Sequence, residues 1–255
     1  MLFKAIKDAV KKYLWFHVPY DKYIRIMYLL SPGFKKEIEK ARIESRVSRF
    51  VVSAKTNRKI RIVFLCQSPQ VWNSFKSVWT AAKNDPEIES YILALPEKVM
   101  HENYDVNHEE YEPVNKSFNM CREFEKDTIN AYDYSSGKWF DLKGLEPDYV
   151  FLPRPYDIHL PPCYRSTEIK NYAKVCFVNY GHDTSIWSEK ITYNLGFVAN
   201  ISLIFAESQY IADILNKALA FLRFPYLRVV FLGFPRFDLY SNSTYGGGGI
   251  ALVKL

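Results

Sequence analysis

The stretch Lys59–Gln67, KIRIVFLCQ, decides the fold. Five apolar residues run without a break from Ile62 to Cys66, behind a basic start and ahead of an amide. The run is too short for a helix and does not alternate, so it reads as a strand buried on both faces. Similar runs recur downstream: ESYILALP (89–96), PDYVFLPRP (147–155), AKVCFVNY (173–180), SLIFAES (202–208) and LRVVFLG (227–233). Helical spacing fills several gaps between them, at Trp72–Asn84, Met120–Tyr132 and Gln209–Leu222. Six strands alternating with helices imply an α/β fold, a Rossmann-like parallel sheet with helices on its flanks. This body is expected over residues 58–240.

Residues 1–57 differ in character and read as a basic, amphipathic, helical leader. Helices are expected at 1–16, 22–30 and 34–50, with Ser31-Pro32-Gly33 as a break. In the first, Phe3, Ile6, Val10, Tyr13 and Leu14 share a face and the lysines lie largely off it. Residues 1–61 hold 16 Lys and Arg against 5 Asp and Glu, whereas the remainder holds 18 against 23. A basic leader on a mildly acidic body suits an anionic membrane surface or an acidic partner. The same helix can equally serve as packing over the α/β body. No nucleic-acid-binding motif accompanies the charge, so nucleic acid is not expected as a partner.

Residues 97–118 read as an irregular loop, and 241–255 as a linker, Gly246–Gly249, followed by a short apolar piece. That tail does not resemble the close of a packed domain, and a truncation is expected there. No run of about 18 apolar residues exists, and the charged N-terminus lacks the apolar core of a signal peptide. Cys66, Cys121, Cys163 and Cys176 are widely spaced without a C-x-x-C pair, which favours reduced thiols and a cytoplasmic setting, at most peripheral to the membrane.

In a parallel sheet the ligand crevice lies beyond the carboxyl ends of the strands. The residues that follow the strands are therefore the candidates for a site. Gln67 and Ser68 follow the first, Arg154 the PDYVFL strand, and His182 and Asp183 the KVCFV strand, with Ser208 and Arg236 after the last two. His182 is the candidate for chemistry, because imidazole exchanges a proton near neutral pH. Gly181 before it is expected to permit a tight turn, and Asp183 to help orient it. Ser208 reads as a helix N-cap that a phosphate can also approach. Arg154 suits an anion or an acidic side chain.

No GxGxxG follows the first strand, and no Walker A loop or G-x-S-x-G elbow occurs, so no cofactor is expected. His101, His108, Glu102, Glu109 and Glu110 lack metal-ligand spacing, so no metal is expected either.

The ordered segments KIRIVFLCQ, PDYVFLPRPYD, KVCFVNYGHD, LIFAESQYI and VVFLGFPRFDLY resemble the N-terminal half of the CDP-glycerol glycerophosphotransferase family, over residues 58–240. The family makes teichoic-acid-like polymers at the cytoplasmic membrane face. The resemblance implies the two-domain GT-B architecture, with this Rossmann-like part facing a polyol-phosphate or sugar acceptor. A C-terminal domain, missing here, would hold the nucleotide-linked donor, so this chain alone is expected to be inactive. It also implies that His182 is the base on the acceptor hydroxyl. The family usually reads His-Gly and a basic residue where this chain has Gly-His-Asp. The competing expectation is a non-catalytic Rossmann-like module that docks on membrane or on a partner chain.

Overall fold

A computed structural model describes residues 2–47, 58–99, 109–181, 185–224 and 226–238. The chain opens with three helices, α1 (Leu2–His17), α2 (Tyr20–Leu30) and α3 (Pro32–Val47). Then come β1 (Ile60–Cys66), α4 (Pro69–Trp72), α5 (Lys76–Asn84), β2 (Ile88–Ala94), α6 (Lys116–Arg122) and β3 (Ile129–Asn130). A hairpin of β4 (Tyr132–Asp133) and β5 (Lys138–Trp139) leads to β6 (Tyr149–Leu152), α7 (Ser166–Ile169) and β7 (Lys174–Val178). The last elements are α8 (Ile186–Thr192), α9 (Leu195–Val198), β8 (Leu203–Ala206), α10 (Gln209–Leu222) and β9 (Arg228–Phe231).

Seven of these strands form one sheet in the order β3-β2-β1-β6-β7-β8-β9, and every pair is parallel. The Rossmann-like α/β fold read from the apolar runs is therefore the fold of the chain. From β1 the chain winds outward through β2 and β3, then returns to lay β6 on the other side of β1. The strand order thus reverses between β1 and β6, which opens a crevice at their carboxyl ends.

Alternation along the strands divides the interior in two. Val63 and Leu65 of β1 face a large core shared with Leu93, Val150, Phe177 and Ile204. That core includes Tyr20, Ile24 and Met27 of α2 and Ile38 of α3, so these helices are built into the body. Arg42 on α3 fixes the join by donating to the carbonyls of Leu222 and Phe221, at 2.9 and 3.0 Å, at the end of α10. A cation there satisfies orphan carbonyls and complements the helix dipole. On the opposite face, Ile62, Phe64 and Cys66 pack under Trp72, Phe75 and Trp79. Phe64 stacks on Phe151 at 4.8 Å between ring centroids, and Phe151 on Phe205 at 5.7 Å, so aromatic rings floor this side.

Two expected helices are corrected. The helix at 72–84 is two pieces, α4 and α5, and the interruption seats the fully buried Phe75 against Phe64 at 5.5 Å. The helix expected at Met120–Tyr132 instead spans Lys116–Arg122, because the Asn115 side chain caps it by accepting from the Phe118 amide at 3.0 Å. Ile129 and Asn130 then join β2 as an edge strand, and the Ala131 amide donates to the Ala94 carbonyl at 2.9 Å. Pairing with an open sheet edge outweighed local helical spacing, a tertiary override of propensity. Among the described residues the sheet accordingly has seven strands where six were expected.

Candidate functional site

Gln67 is the first residue beyond β1 and is 4% exposed. Neither its amide nitrogen nor its amide oxygen has a hydrogen-bond partner among the described residues. A buried polar atom without a partner costs about 1–3 kcal/mol, so an orphaned amide requires an explanation. Its side chain lines a cavity of about 130 Å³ together with Leu95, Pro96, Glu97 and Lys98 from beyond β2, and Arg154 and His159 from beyond β6. The cavity lies at the carboxyl ends of β1, β2 and β6, beside the point where strand order reverses.

Arg154 spans that reversal. Its Nη2 donates to the hydroxyl of the fully buried Ser68 at 3.0 Å, and its guanidinium sits 5.5 Å from the centroid of the Tyr180 ring. A guanidinium carries five N–H donors, and the Ser68 bond occupies one of them among the described residues. No carboxylate pairs with Arg154 among the described residues. Lys98, whose side chain is 1% exposed, pairs with Glu109 at 3.2 Å, and Glu109 also accepts from Arg165 at 3.0 Å. Glu97 supplies the one carboxylate in the lining among the described residues.

His159 is held below the ordinary histidine pKa, first by burial and then by the positive charges of Arg154 and Lys98. It therefore stays neutral at neutral pH and offers both a ring donor and a ring acceptor. The Tyr156 ring packs edge-on against it at 5.7 Å. Asp157 stays out of the cavity: its carboxylate accepts from the Ser166 amide and hydroxyl, at 2.8 and 2.6 Å, and starts α7.

The structure thus brings Gln67, Ser68 and Arg154 together. Arg236 lies farther along the same edge, where its Nη1 donates to the Tyr180 carbonyl at 3.4 Å. Ser208 is set apart, since its hydroxyl accepts from the Ile211 amide at 3.2 Å as the N-cap of α10. His182 and Asp183 lie outside the described residues, as do His101, Glu102, His108 and residues 241–255. The φ of Gly181 is not positive, and an added Cβ there would meet nothing within 4 Å among the described residues, while the turn expected after it lies outside the described residues. Gly233, at φ 86°, is where the backbone needs glycine, at the turn out of β9.

Lys98, His159 and Tyr180 were not singled out from sequence. The signal existed for two of them. Lys98 follows the ESYILALP strand, whose carboxyl end deserved the same scrutiny as the others, and His159 lies in the loop that Arg154 opens.

A second, larger hollow of about 470 Å³ lies over the sheet between α5 and the turn at Pro235–Phe237. Its floor is Phe64, Phe151, Val178, Phe205 and Val230, and its wall includes Val78 and Phe234. Asp85, Glu87 and Asp238 are the acidic residues of its lining.

No protein-family model matches the chain, and no curated protein is similar to it. Among the described residues no helix is long and apolar enough to cross a membrane, and no cluster of three metal-ligating side chains occurs.

Proposed function

We propose that this chain is the acceptor-side domain of a GT-B transferase that moves glycerophosphate from CDP-glycerol, or a sugar from a nucleotide donor, onto a hydroxyl of a cell-surface polymer. The observation that carries the reading is the cavity beside the strand-order reversal, lined by an orphaned buried amide, two cations and a neutral imidazole. Doubly wound sheets bind ligands at this place. The cations suit a phosphate-bearing acceptor, and a second domain presents the donor, as the family resemblance implies. In the reaction, a base removes the acceptor hydroxyl proton and the oxygen bonds to phosphorus or to the anomeric carbon. The nucleotide leaves with the electron pair of the broken bond. His182 is assigned as that base by its place after β7.

The test is a turnover assay with CDP-glycerol and nucleotide sugars, using the chain together with a complementing donor domain. His182→Ala is expected to abolish transfer while leaving the circular-dichroism spectrum intact. Unchanged transfer would remove His182 from the mechanism, and no transfer by the wild type with any donor would remove the transferase reading.

One observation favours the alternative, a module that docks on a membrane surface. Ile6, Val10 and Tyr13 recur at helical spacing on α1 and are 54%, 44% and 63% exposed, with Lys11 and Lys12 exposed beside them. An apolar stripe flanked by lysines suits the headgroup region of an anionic bilayer. Flotation with anionic vesicles at low salt tests it, and a chain that stays unbound retains α1 for packing alone.

A further inference from the structure

The larger hollow is a stretch of sheet face that calls for a helix. α7, α9 and α10 send Ile169, Phe197 and Ile211 into the core on the α2 and α3 side. On the opposite face α4 and α5 pack with Trp72, Phe75 and Trp79, and the groove of about 470 Å³ remains over Phe151, Val178, Phe205 and Val230. Leu232 and Phe237 of its wall are exposed. Parallel sheets carry helices on both faces, so the occupant that fits is a helix with an apolar stripe. Five neighbouring strands, β1 and β6–β9, contribute to the floor. At about 4.8 Å per strand they span roughly 19 Å, wide enough for one helix of about 10 Å.

Charge narrows the choice of helix. Asp85, Glu87 and Asp238 belong to the lining, and no lysine, arginine or histidine does among the described residues. A helix with basic residues beside its stripe therefore suits this groove. α1 is such a helix, with four lysines against one aspartate. Its exposed Ile6, Val10 and Tyr13 lie within about 60° of arc at roughly 100° per residue, and that spacing puts Lys11 on one side of the stripe and Lys12 on the other. α1 is anchored elsewhere on its surface: Leu14 joins the core beside α2, and the Trp15 ring packs edge-on to Tyr23 at 5.7 Å. That core lies on the opposite face of the sheet from the groove. A chain therefore cannot fill its own groove with α1, but a second copy can.

We propose that the groove docks helix α1 of a second copy of this chain, with Ile6, Val10 and Tyr13 on the apolar floor and the flanking lysines toward Asp85, Glu87 and Asp238. Stripe and groove are different surfaces, so the contact is head-to-tail and repeats from copy to copy as a ring or a filament. Apolar burial supplies the affinity, and the charges select which helix enters.

The test is sedimentation velocity of the chain, residues 1–255, over a range of concentrations. The wild type is expected to exceed the 29.9 kDa of one chain, with a mass that rises with concentration. Val10→Glu on the stripe and Val230→Glu on the floor are each expected to weaken association roughly tenfold or more, by bringing a carboxylate into an apolar contact. Mixed together, the two variants retain one sound groove and one sound stripe. They are expected to form a 1:1 dimer and to stop there. Glu87→Lys, an exposed change that spares the interior, replaces Val230→Glu should the latter lose the native circular-dichroism spectrum. Added salt is expected to weaken the wild-type contact by screening its charges.

A wild type that stays at the mass of one chain would overturn the proposal. So would association that survives the stripe or the groove variants, or a mixture that remains monomeric or grows past the dimer. Loss with Val10→Glu but not with either groove variant would reveal stripe-to-stripe pairing, which overturns it too. Strengthening by salt would overturn the choice of a basic helix. The stripe cannot lie on a bilayer and in a groove at once, so a chain that binds anionic vesicles yet is monomeric in solution gives the stripe to lipid and sinks the docking. A monomer that begins to associate once residues 241–255 are removed would show the groove filled from within the chain, and counts against it equally.

Discussion

The two hollows of this molecule differ in a way that volume does not convey. The groove over β1 and β6–β9 is more than three times the larger, yet it is floored by aromatic and aliphatic side chains that a sheet face must put somewhere. The small cavity beside β1 holds a buried amide with no partner among the described residues, next to an arginine and a lysine. An uncovered apolar face gains free energy when anything apolar covers it, so it says little about chemistry. An unpartnered polar group pays a desolvation penalty that selects for a particular kind of ligand. Polar equipment, not size, therefore makes the small cavity the candidate site.

The contrast can be broken experimentally, beginning with the aromatic floor. Phe64 and Phe205 belong to one row of rings on the groove floor, but Phe64 is fully buried whereas Phe205 is half-buried. Phe64→Ala is expected to lower the unfolding free energy in urea by about 3–5 kcal/mol. Phe205→Ala is expected to cost markedly less, because part of its ring already meets solvent. Equal losses would show that the half-buried ring is as well packed as the fully buried one.

Next in size, Gln67→Leu is expected to stabilise the free protein by about 1–3 kcal/mol in the same urea measurement, by removing atoms that pay for burial without a bond. A loss of stability would mean that the amide is satisfied in solution and is not waiting for a ligand.

A smaller effect concerns pH. The folded state holds His159 below its unfolded pKa of about 6.5, so the unfolded chain binds the extra proton first on acidification. The stability tied to the neutral imidazole is complete above that value and is lost as pH falls through the window beneath it. Its surroundings are Arg154 and Lys98, which lower the pKa, with Glu97 in the same lining and the Tyr156 ring packed beside it. His159→Gln is expected to flatten the stability profile in that window. Inorganic phosphate is expected to move the His159 ring resonances, followed by NMR, toward a higher midpoint. An unmoved midpoint would place the anion elsewhere.

The smallest expected change is on the groove wall. Val230→Glu puts a charge in the apolar hollow at a half-buried position, and is expected to reduce the fluorescence of an apolar dye while leaving phosphate binding untouched. Loss of phosphate binding as well would couple the two hollows.

Much of this architecture was legible from the chain alone. Apolar runs such as Ile62–Cys66 are long enough for a strand and too short for a helix, and a parallel sheet buried on both faces demands such runs. The two residues of β3 carried no comparable signal, since an edge strand draws its definition from the partner it pairs with. The split between α4 and α5 is likewise a consequence of where Phe75 must pack.

The site divides along the same line. That Gln67, Ser68 and Arg154 lie at the carboxyl edge of the sheet, where candidates for a site are sought, follows from their place after buried strands, a local fact. That Ser208 caps a helix instead, that Lys98 and His159 join Gln67, and that its amide finds no bond among the described residues are tertiary facts. They depend on β6 returning to lie beside β1, which brings three loops from distant stretches of sequence around one cavity. Local composition encodes burial and period, whereas convergence of charge is set by strand order, which no single stretch contains.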